Sequence, residues 1–322
     1  MSDTGPQESD QPLPEQTGTA PSRAETPAPG QSDAGRSRVE RARPAQSRAS
    51  ESLRNRPQKH KVAVIIPAHN EARQIAHTVR ACRALPGVDL LIVVDDGSHD
   101  NTQQYARQAG AVVVRHSVVR GKASALETGV KVAAMRDLAD GLPRHLLFLD
   151  ADLGESALEA TSLIETVQSE KADCAIATLP KQKGAGGHGF VVNHARKAIR
   201  RATGWYALAP LSGQRCITRE AVNDIMPFAP GWGVEVAMTI DLLVKGYTVQ
   251  EVPCDFTHRP TGNDLAGYLH RADQYKDAWK ATSIRRLHRH RVSLRDRDFA
   301  ASTQTPGSPY NAYAKPGSDE QE

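Results

Sequence analysis

Two aspartates that follow an apolar run are the strongest candidates for chemistry in this sequence. Asp150 and Asp152 come directly after residues 146–149, which read LLFL. A short apolar run that stops at polar residues is typical of a buried strand in a parallel sheet. Side chains two positions apart on an extended chain point to the same side, so both carboxylates can reach one ligand. The pair favours a Mg²⁺ or Mn²⁺ site that holds phosphates, although two solvated aspartates before a helix near Ser156 would look the same.

Three polar turns earlier in the chain strengthen the ligand-binding interpretation. They read PAHNE at 67–71, DDGS at 95–98 and RGK at 120–122, and each is expected near the end of a strand. A nucleotide requires a carboxylate or amide for its base edge, small residues for close backbone approach, and a cation near its diphosphate. Asp96, the pair Pro67 and Ala68, and Lys122 supply that set. Each turn alone could be ordinary, but three of them before an Asp-x-Asp pair indicate one nucleotide crevice at the carboxyl edge of a sheet.

A glycine-rich loop later in the chain matches the spacing of a dinucleotide-binding fingerprint at Gly184, Gly186 and Gly189. That fingerprint requires an acidic residue about 20 positions further on, to hold the ribose. Residues 174–219 contain no Asp or Glu, so an oxidoreductase is excluded. The same 46 residues hold eight basic side chains: Lys181, Lys183, Arg196, Lys197, Arg200, Arg201, Arg215 and Arg219. A basic run is usually a solvated face, but this one favours an anionic acceptor.

Composition limits the remaining classes of function. The formal net charge of +4 is too small to indicate a nucleic-acid partner. Four widely spaced cysteines form no C-x-x-C pair, which fits a reducing cytosol and argues against a zinc knuckle or a disulfide framework. No stretch approaches the roughly 18 consecutive apolar residues of a membrane span, and the N-terminus does not read as a signal peptide. We therefore expect a cytoplasmic protein. Peripheral membrane contact through the basic residues 285–291 is a further possibility.

The elements that position these residues alternate between strands and helices. Strands are expected at 62–66, 90–94, 111–114 and 146–149, each followed by a helix, which predicts an α/β fold with a mostly parallel, Rossmann-like sheet and helices on both faces. Residues 1–58 lack Phe, Trp, Tyr, Ile and Cys, so we expect a disordered segment before a domain at 59–292. The polar residues 293–322 are expected to form a disordered C-terminal tail. A long basic helix is predicted from 264 to about 290.

With these motifs in order, residues 61–260 resemble the nucleotide-sugar glycosyltransferases of GT-A fold. The succession PAHNE, VDDGSHDNT, RGK and DADL is similar to that of dolichyl-phosphate sugar synthases. The stretch PFAPGWGVEVAMTID at 227–241, with PLSG at 210–213 and His258-Arg259, resembles glucosyl-3-phosphoglycerate synthases. The R-V-T-E-like segment with which that family grips phosphoglycerate is missing, and GAGGHGFVVNHARK stands in its place. The acceptor is therefore not carried over.

The resemblance implies a set of site residues. Nucleotide-sugar contacts would fall to Pro67, Ala68, Glu71, Asp96, Lys122, Asp150, Ala151, Asp152 and Trp232. The metal ligands would be Asp150, Asp152 and His258, although a lone histidine after a strand is also common on a surface or in a core. Asp152 would be catalytic through the metal, and Glu235 through the sugar or the acceptor.

These residues predict metal-dependent transfer of a hexose from a nucleotide diphosphate sugar, with UDP as the expected nucleotide. The acceptor would carry a phosphate, as a polyprenyl phosphate or a phosphorylated small molecule does. Two other classes stay open on the residues alone. A sugar-phosphate nucleotidyltransferase would release pyrophosphate instead of a nucleoside diphosphate. A non-catalytic nucleotide-sugar-binding protein is the other, although the intact Asp-x-Asp pair and Lys122 argue against a degenerate site.

Overall fold

A seven-stranded sheet forms the centre of the protein in a computed structural model. The structure describes residues 59–139, 141–179, 189–257 and 290–313. In chain order the strands are β1 (Val62–Ala68), β2 (Val88–Asp95), β3 (Val112–Arg115), β4 (His145–Phe148), β5 (Cys174–Thr178), β6 (Arg215–Ile217) and β7 (Val249–Pro253). Their order across the sheet is β3-β2-β1-β4-β6-β5-β7. β6 alone among these strands runs antiparallel to its neighbours. The predicted mostly parallel α/β sheet is therefore confirmed.

A helix follows each of the first four strands, as the sequence predicts, and further helices come later in the chain. The helices are α1 (Ile75–Cys82), α2 (Thr102–Gln108), α3 (Lys122–Ala134), α4 (Thr161–Gln168), α5 (Gly189–Thr203), α6 (Arg219–Ile225), α7 (Val234–Val244) and α8 (Leu294–Thr303). Short 3₁₀ turns span Gly154–Ala160 and Gly231–Gly233. In the described part of the chain, no helix is both long enough and apolar enough to cross a membrane.

The two faces of the sheet pack into separate apolar cores. Along β1, Ala63 and Ile65 belong to one core, and Val64 and Ile66 belong to the other. Strands buried on both faces explain why the sequence shows continuous apolar runs rather than alternation. Packing on the first face is tight enough to require a glycine, since a β-carbon on Gly129 of α3 would lie 2.3 Å from Cγ2 of Ile65. α3 therefore lies directly on the sheet, with its first residue at the carboxyl edge.

Residues 293–313 are structured, so the predicted disordered tail is wrong over that range. α8 begins after Ser293, whose side chain accepts a hydrogen bond from the Asp296 amide. The backbone of Tyr310 then pairs with Val249 at the start of β7. Val292, Ala300 and Tyr310 are buried in the same core as α5 and α7. The segment is ordered because a few apolar residues, widely separated in sequence, meet a surface that the rest of the chain provides.

Several sequence predictions fall outside the described residues. They concern the disorder of 1–58, the helix from 264, most of the glycine-rich loop at 184–189, and the end of the tail beyond Tyr313. These stay predictions.

Candidate active site

Three charged side chains from three elements meet at the carboxyl edge of the sheet. The Lys122 ammonium, at the first residue of α3, lies 2.8 Å from Oδ1 of Asp150 and 3.0 Å from Oε1 of Glu235. Asp150 follows β4, and Glu235 is in the first turn of α7. The sequence predicts each of these residues as part of a site, and the structure brings all three together. The lysine forms a bridge between the end of β4 and the start of α7.

The charge of Lys122 is strongly stabilised by its two partners. Burial acts to lower the pKa of Lys122, but Asp150 and Glu235 outweigh burial and raise it above its ordinary value. Lys122 therefore remains a cation throughout the physiological range. Because the Lys122 ammonium already contacts two carboxylates, its positive charge is compensated by Asp150 and Glu235 before any diphosphate binds.

The other oxygen of Asp150 has a partner that the sequence prediction missed. Gln214, one residue before β6, donates from Nε2 to Oδ2 of Asp150 at 2.6 Å. β6 is antiparallel, so its beginning rather than its end lies at the carboxyl edge, where its preceding residues reach the aspartate. The PLSG stretch at 210–213 stands out in the sequence only by its resemblance, and no sequence pattern identifies Gln214 as a neighbour of Asp150.

Asp96 is buried and holds the RGK turn. Its carboxylate accepts hydrogen bonds from the amides of Arg120 (2.9 Å) and Gly121 (2.7 Å), and its Oδ1 lies 2.7 Å from Nδ1 of His116. Burial alone would raise the pKa of Asp96, but hydrogen bonds from Arg120, His116 and Gly121 outweigh it and lower the pKa. The structure thus gives Asp96 a local role, which is to fix the turn that leads into Lys122. Its contact with a base stays a prediction.

The end of β1 is joined to the end of β2. Ala68 lies beside Asp95 in the sheet register, and its carbonyl accepts from the Asp96 amide at 2.8 Å. The Glu71 amide donates to the hydroxyl of Thr102 at 2.8 Å, which ties the PAHNE turn to α2. Pro67, Ala68 and Glu71 therefore lie at the same edge as Asp96, as predicted.

Only part of the predicted metal-binding set falls within the described residues. Asp152 is partly exposed and lies two residues after Asp150, while Ala151 is buried and accepts from the Thr78 hydroxyl at 2.8 Å. His258 and the side chain of Trp232 lie outside the described residues. In the part of the chain that the structure does describe, no group of three or more His, Cys, Asp or Glu side chains could hold a metal ion.

The basic side chains of the run that the structure describes, those from Arg196 to Arg219, do not form one surface. Arg215 and Arg219 are buried, and burial lowers the pKa of each. Arg219 pairs with Asp137 at 2.9 Å, and Arg196 donates to the carbonyls of Ala207 and Leu208. Arg200 and Arg201 lie in the last turn of α5, where they complement the negative end of the helix dipole. Much of the basic excess thus has a structural explanation.

Comparison with known proteins identifies the family. Residues 63–228, about half of the chain, match the family model described as Glycosyl transferase family 2. The chain belongs to that family. This confirms the resemblance inferred from the motifs and establishes the protein as a glycosyltransferase. The matched region includes Lys122, Asp150 and Gln214, and it ends seven residues before Glu235.

The sequence of this glycosyltransferase is similar to those of two named kinds of enzyme. Glycosyltransferase AglJ of Haloferax volcanii is 28% identical over 212 residues, covering 65% of this chain and 67% of that protein. The glucosyl-3-phosphoglycerate synthase of Mycolicibacterium smegmatis is 29% identical over 193 residues, 56% of this chain. The match spans 63% of that synthase, which is less than two thirds of its length.

A solved structure shows the same fold. It is the glucosyl-3-phosphoglycerate synthase from Mycobacterium tuberculosis in complex with Mn²⁺, uridine diphosphate and glucosyl-3-phosphoglycerate. The TM-score is 0.55 and the identity 25%, with 70% of this chain and 80% of that chain covered. The GT-A fold expected from the motifs is therefore confirmed.

Proposed function

We propose that this glycosyltransferase moves a hexose from a nucleotide diphosphate sugar, with UDP as its nucleotide, to a phosphate-bearing acceptor. The observation that carries the proposal is the cluster of Lys122, Asp150 and Glu235 at the carboxyl edge. In open α/β sheets that edge is where ligands bind. The similarity to a synthase crystallised with Mn²⁺ and uridine diphosphate supports UDP and a divalent metal.

The charges of the cluster fit a divalent cation. The cluster has two carboxylates and one ammonium, and Asp152, two residues after Asp150, adds a third carboxylate, so the four side chains together have an excess of two formal negative charges. Carboxylate oxygens are also the donors that Mg²⁺ and Mn²⁺ prefer. Asp152 and His258 would hold the ion with help from Asp150. When bound, the metal supplies charge neutralisation for the departing diphosphate.

The protein's own residues have separate tasks in this reaction. Asp96, with Pro67, Ala68 and Glu71, binds the nucleoside end of the donor. Lys122 fixes Asp150 and Glu235 and places a cation close to the diphosphate. Glu235 and Trp232 orient the sugar or the acceptor. If the attacking group of the acceptor is itself a phosphate, as in a polyprenyl phosphate, it is already ionised at neutral pH and requires no general base.

Two kinds of phosphate-bearing acceptor fit the proposal, and an experiment can distinguish them. A phosphorylated small molecule would react in solution, as phosphoglycerate does in the synthase relatives named above. A polyprenyl phosphate would bring the enzyme to the cytoplasmic face of a membrane, through the basic residues 285–291. Release of UDP from a UDP-sugar is therefore measured with soluble phosphates and with vesicles that contain polyprenyl phosphate. Stimulation by only one of them identifies the acceptor.

The metal-dependent reaction is tested with a panel of sugar nucleotides, with and without Mn²⁺. We expect release of a nucleoside diphosphate that requires the metal. Asp152→Asn should lower the rate more than about 100-fold, since it removes a charged metal ligand without a change in size. Asp298→Asn, on the exposed surface of α8, is the matched control. Metal-independent turnover, or normal turnover by Asp152→Asn, contradicts the proposal.

A further inference from the structure

Gln214 combines near-complete burial with a short hydrogen bond to a charged site residue. Its side chain is 1% exposed, and its Nε2 lies 2.6 Å from Oδ2 of Asp150. The Ser212 hydroxyl lies 3.3 Å from Oε1 of Gln214. The Asp150 carboxylate can only accept, so it requires Nε2 on its side, and the Ser212 hydroxyl donates to Oε1 and holds the amide in that orientation.

The backbone around Gln214 is held from both sides. Its carbonyl accepts from the Ala177 amide of β5 at 3.0 Å. Arg215 donates from Nε to the Ser212 carbonyl (2.8 Å) and from Nη1 to the Thr239 hydroxyl (2.9 Å). The Thr239 hydroxyl in turn donates to the Glu235 carbonyl. Gln214 is thus joined by its peptide bond to Arg215, whose hydrogen bond to Thr239 reaches α7, and Lys122 joins α7 back to Asp150. This closed circuit fixes Asp150 relative to Glu235.

Gly213 allows the segment to approach this closely. A β-carbon at position 213 would lie 2.5 Å from Nζ of Lys122, and 3.2 and 3.3 Å from the two oxygens of Asp150. Any other residue would displace the lysine or the aspartate. Gly213, which has no side chain, therefore lies against Lys122 and Asp150, and the amide side chain of Gln214 comes next in the chain.

We infer that Gln214 is a positioning residue, which orients the Asp150 carboxylate for the divalent metal and the diphosphate. The inference rests on the proposed function and assigns a role to a residue outside the predicted site. An amide suits this position because it donates a hydrogen bond and carries no charge. A lysine in its place would cancel the negative charge that a divalent cation requires, and a carboxylate would repel Asp150. Partners that hold a metal-binding side chain typically change metal affinity or activity by about 10–100-fold when removed.

The test replaces Gln214 by methionine, which keeps the length of the side chain but removes the donor. Binding of UDP is measured by calorimetry across a Mn²⁺ series, and turnover is measured with UDP-sugar. We expect the Mn²⁺ concentration for half-maximal UDP binding to rise about tenfold and kcat to fall about 10–100-fold, with a smaller change in donor KM. Gln168→Met is the matched control, because Gln168 also donates a hydrogen bond from its Nε2, but to the backbone carbonyl of His60 instead of a carboxylate of the site.

A second variant covers the case in which Gln214→Met does not fold. Ser212→Ala leaves Gln214 in place but removes the hydroxyl that orients it, and should raise the Mn²⁺ requirement by a smaller factor, about threefold. An unchanged Mn²⁺ requirement in whichever variants fold overturns the role of Gln214, even if their melting temperature falls. Absence of any Mn²⁺-dependent UDP binding by the unaltered protein overturns the proposed function, and the role of Gln214 with it. The two failures are therefore distinguishable.

Discussion

At the scale of single residues, Lys122 keeps the two carboxylates of the site, those of Asp150 and Glu235, close together. Without its ammonium, the carboxylates of Asp150 and Glu235 would face each other across a partly buried space. Like charges in such surroundings repel strongly, so removing one partner of a buried group costs more than the contact itself contributes. The lysine therefore has a structural task that precedes any contact with substrate.

Lys122→Met should lower both the melting temperature and the rate of transfer, the rate by more than about 100-fold. The loss of stability should be about 3 kcal/mol, measured by denaturant unfolding. Lys131→Met is the control on the same helix, because Lys131 is 67% exposed and pairs with Glu127 only at 3.8 Å. That change should cost less than about 0.5 kcal/mol. Equal effects of the two substitutions would contradict the bridging role.

The sequence predicted the members of the site better than their contacts. Asp150, Lys122 and Glu235 were each identifiable, because they belong to motifs at strand ends or to a family-like stretch. Their mutual contact was not predictable, because 113 positions separate Lys122 from Glu235 and no periodic pattern relates them. Gln214 and the local role of Asp96 were missed for a similar reason. Both depend on which loops the folded sheet places side by side.

At the scale of elements, local signals were strongest in the first half of the chain. Each of β1, β2 and β4 is an apolar run that ends in a polar turn, so its position follows directly from sequence. β6 is only three residues long and begins with an arginine, so no apolar run marks it in the sequence. The segment 293–313 was misread because its composition is polar and its order depends on a few buried contacts.

Tyr310 provides a test of the C-terminal segment. Its ring is 4% exposed, stacks near Trp205, and donates from its hydroxyl to the Thr203 carbonyl at 2.9 Å. Tyr310→Ala should cost about 3 kcal/mol of unfolding free energy, because it leaves a cavity and an unpaired carbonyl. Tyr313→Ala, at a ring that is 43% exposed, is the matched control and should cost less than about 1 kcal/mol. Urea unfolding of both variants measures the difference, and a cost of Tyr310→Ala as small as that of Tyr313→Ala would show that the segment adds little.

At the scale of the whole molecule, the stability should depend on pH through a histidine at the edge opposite the active site. Burial, with a smaller effect from the nearby His60, lowers the pKa of His145 from 6.5 to about 4. The rings of the two histidines stack at 4.4 Å. The folded state therefore binds fewer protons than the unfolded state between pH 6.5 and 4, and stability falls as the pH falls through that range.

The contribution of His145 is measurable by unfolding at several pH values. A single proton that the unfolded state binds and the folded state does not changes the unfolding free energy by up to about 1.4 kcal/mol per pH unit. His145→Gln should flatten the slope between pH 6.5 and 5, whereas His77→Gln, at an exposed position on α1, should leave it unchanged. An unaltered slope in His145→Gln would assign the acid sensitivity to other groups.

The position of β6 also sets an order of assembly during synthesis. β3, β2, β1 and β4 are complete once residue 148 has left the ribosome, and they can pair in one parallel sheet. β5 is made next, but its neighbours are β6 and β7, so it has no partner in the sheet until residues 215–217 follow. In the nascent chain the outer edge of β4 therefore stays unpaired until more than sixty further residues have been synthesised. During that interval an unpaired strand edge is open to misassociation, and the pairing of the three residues of β6 ends it.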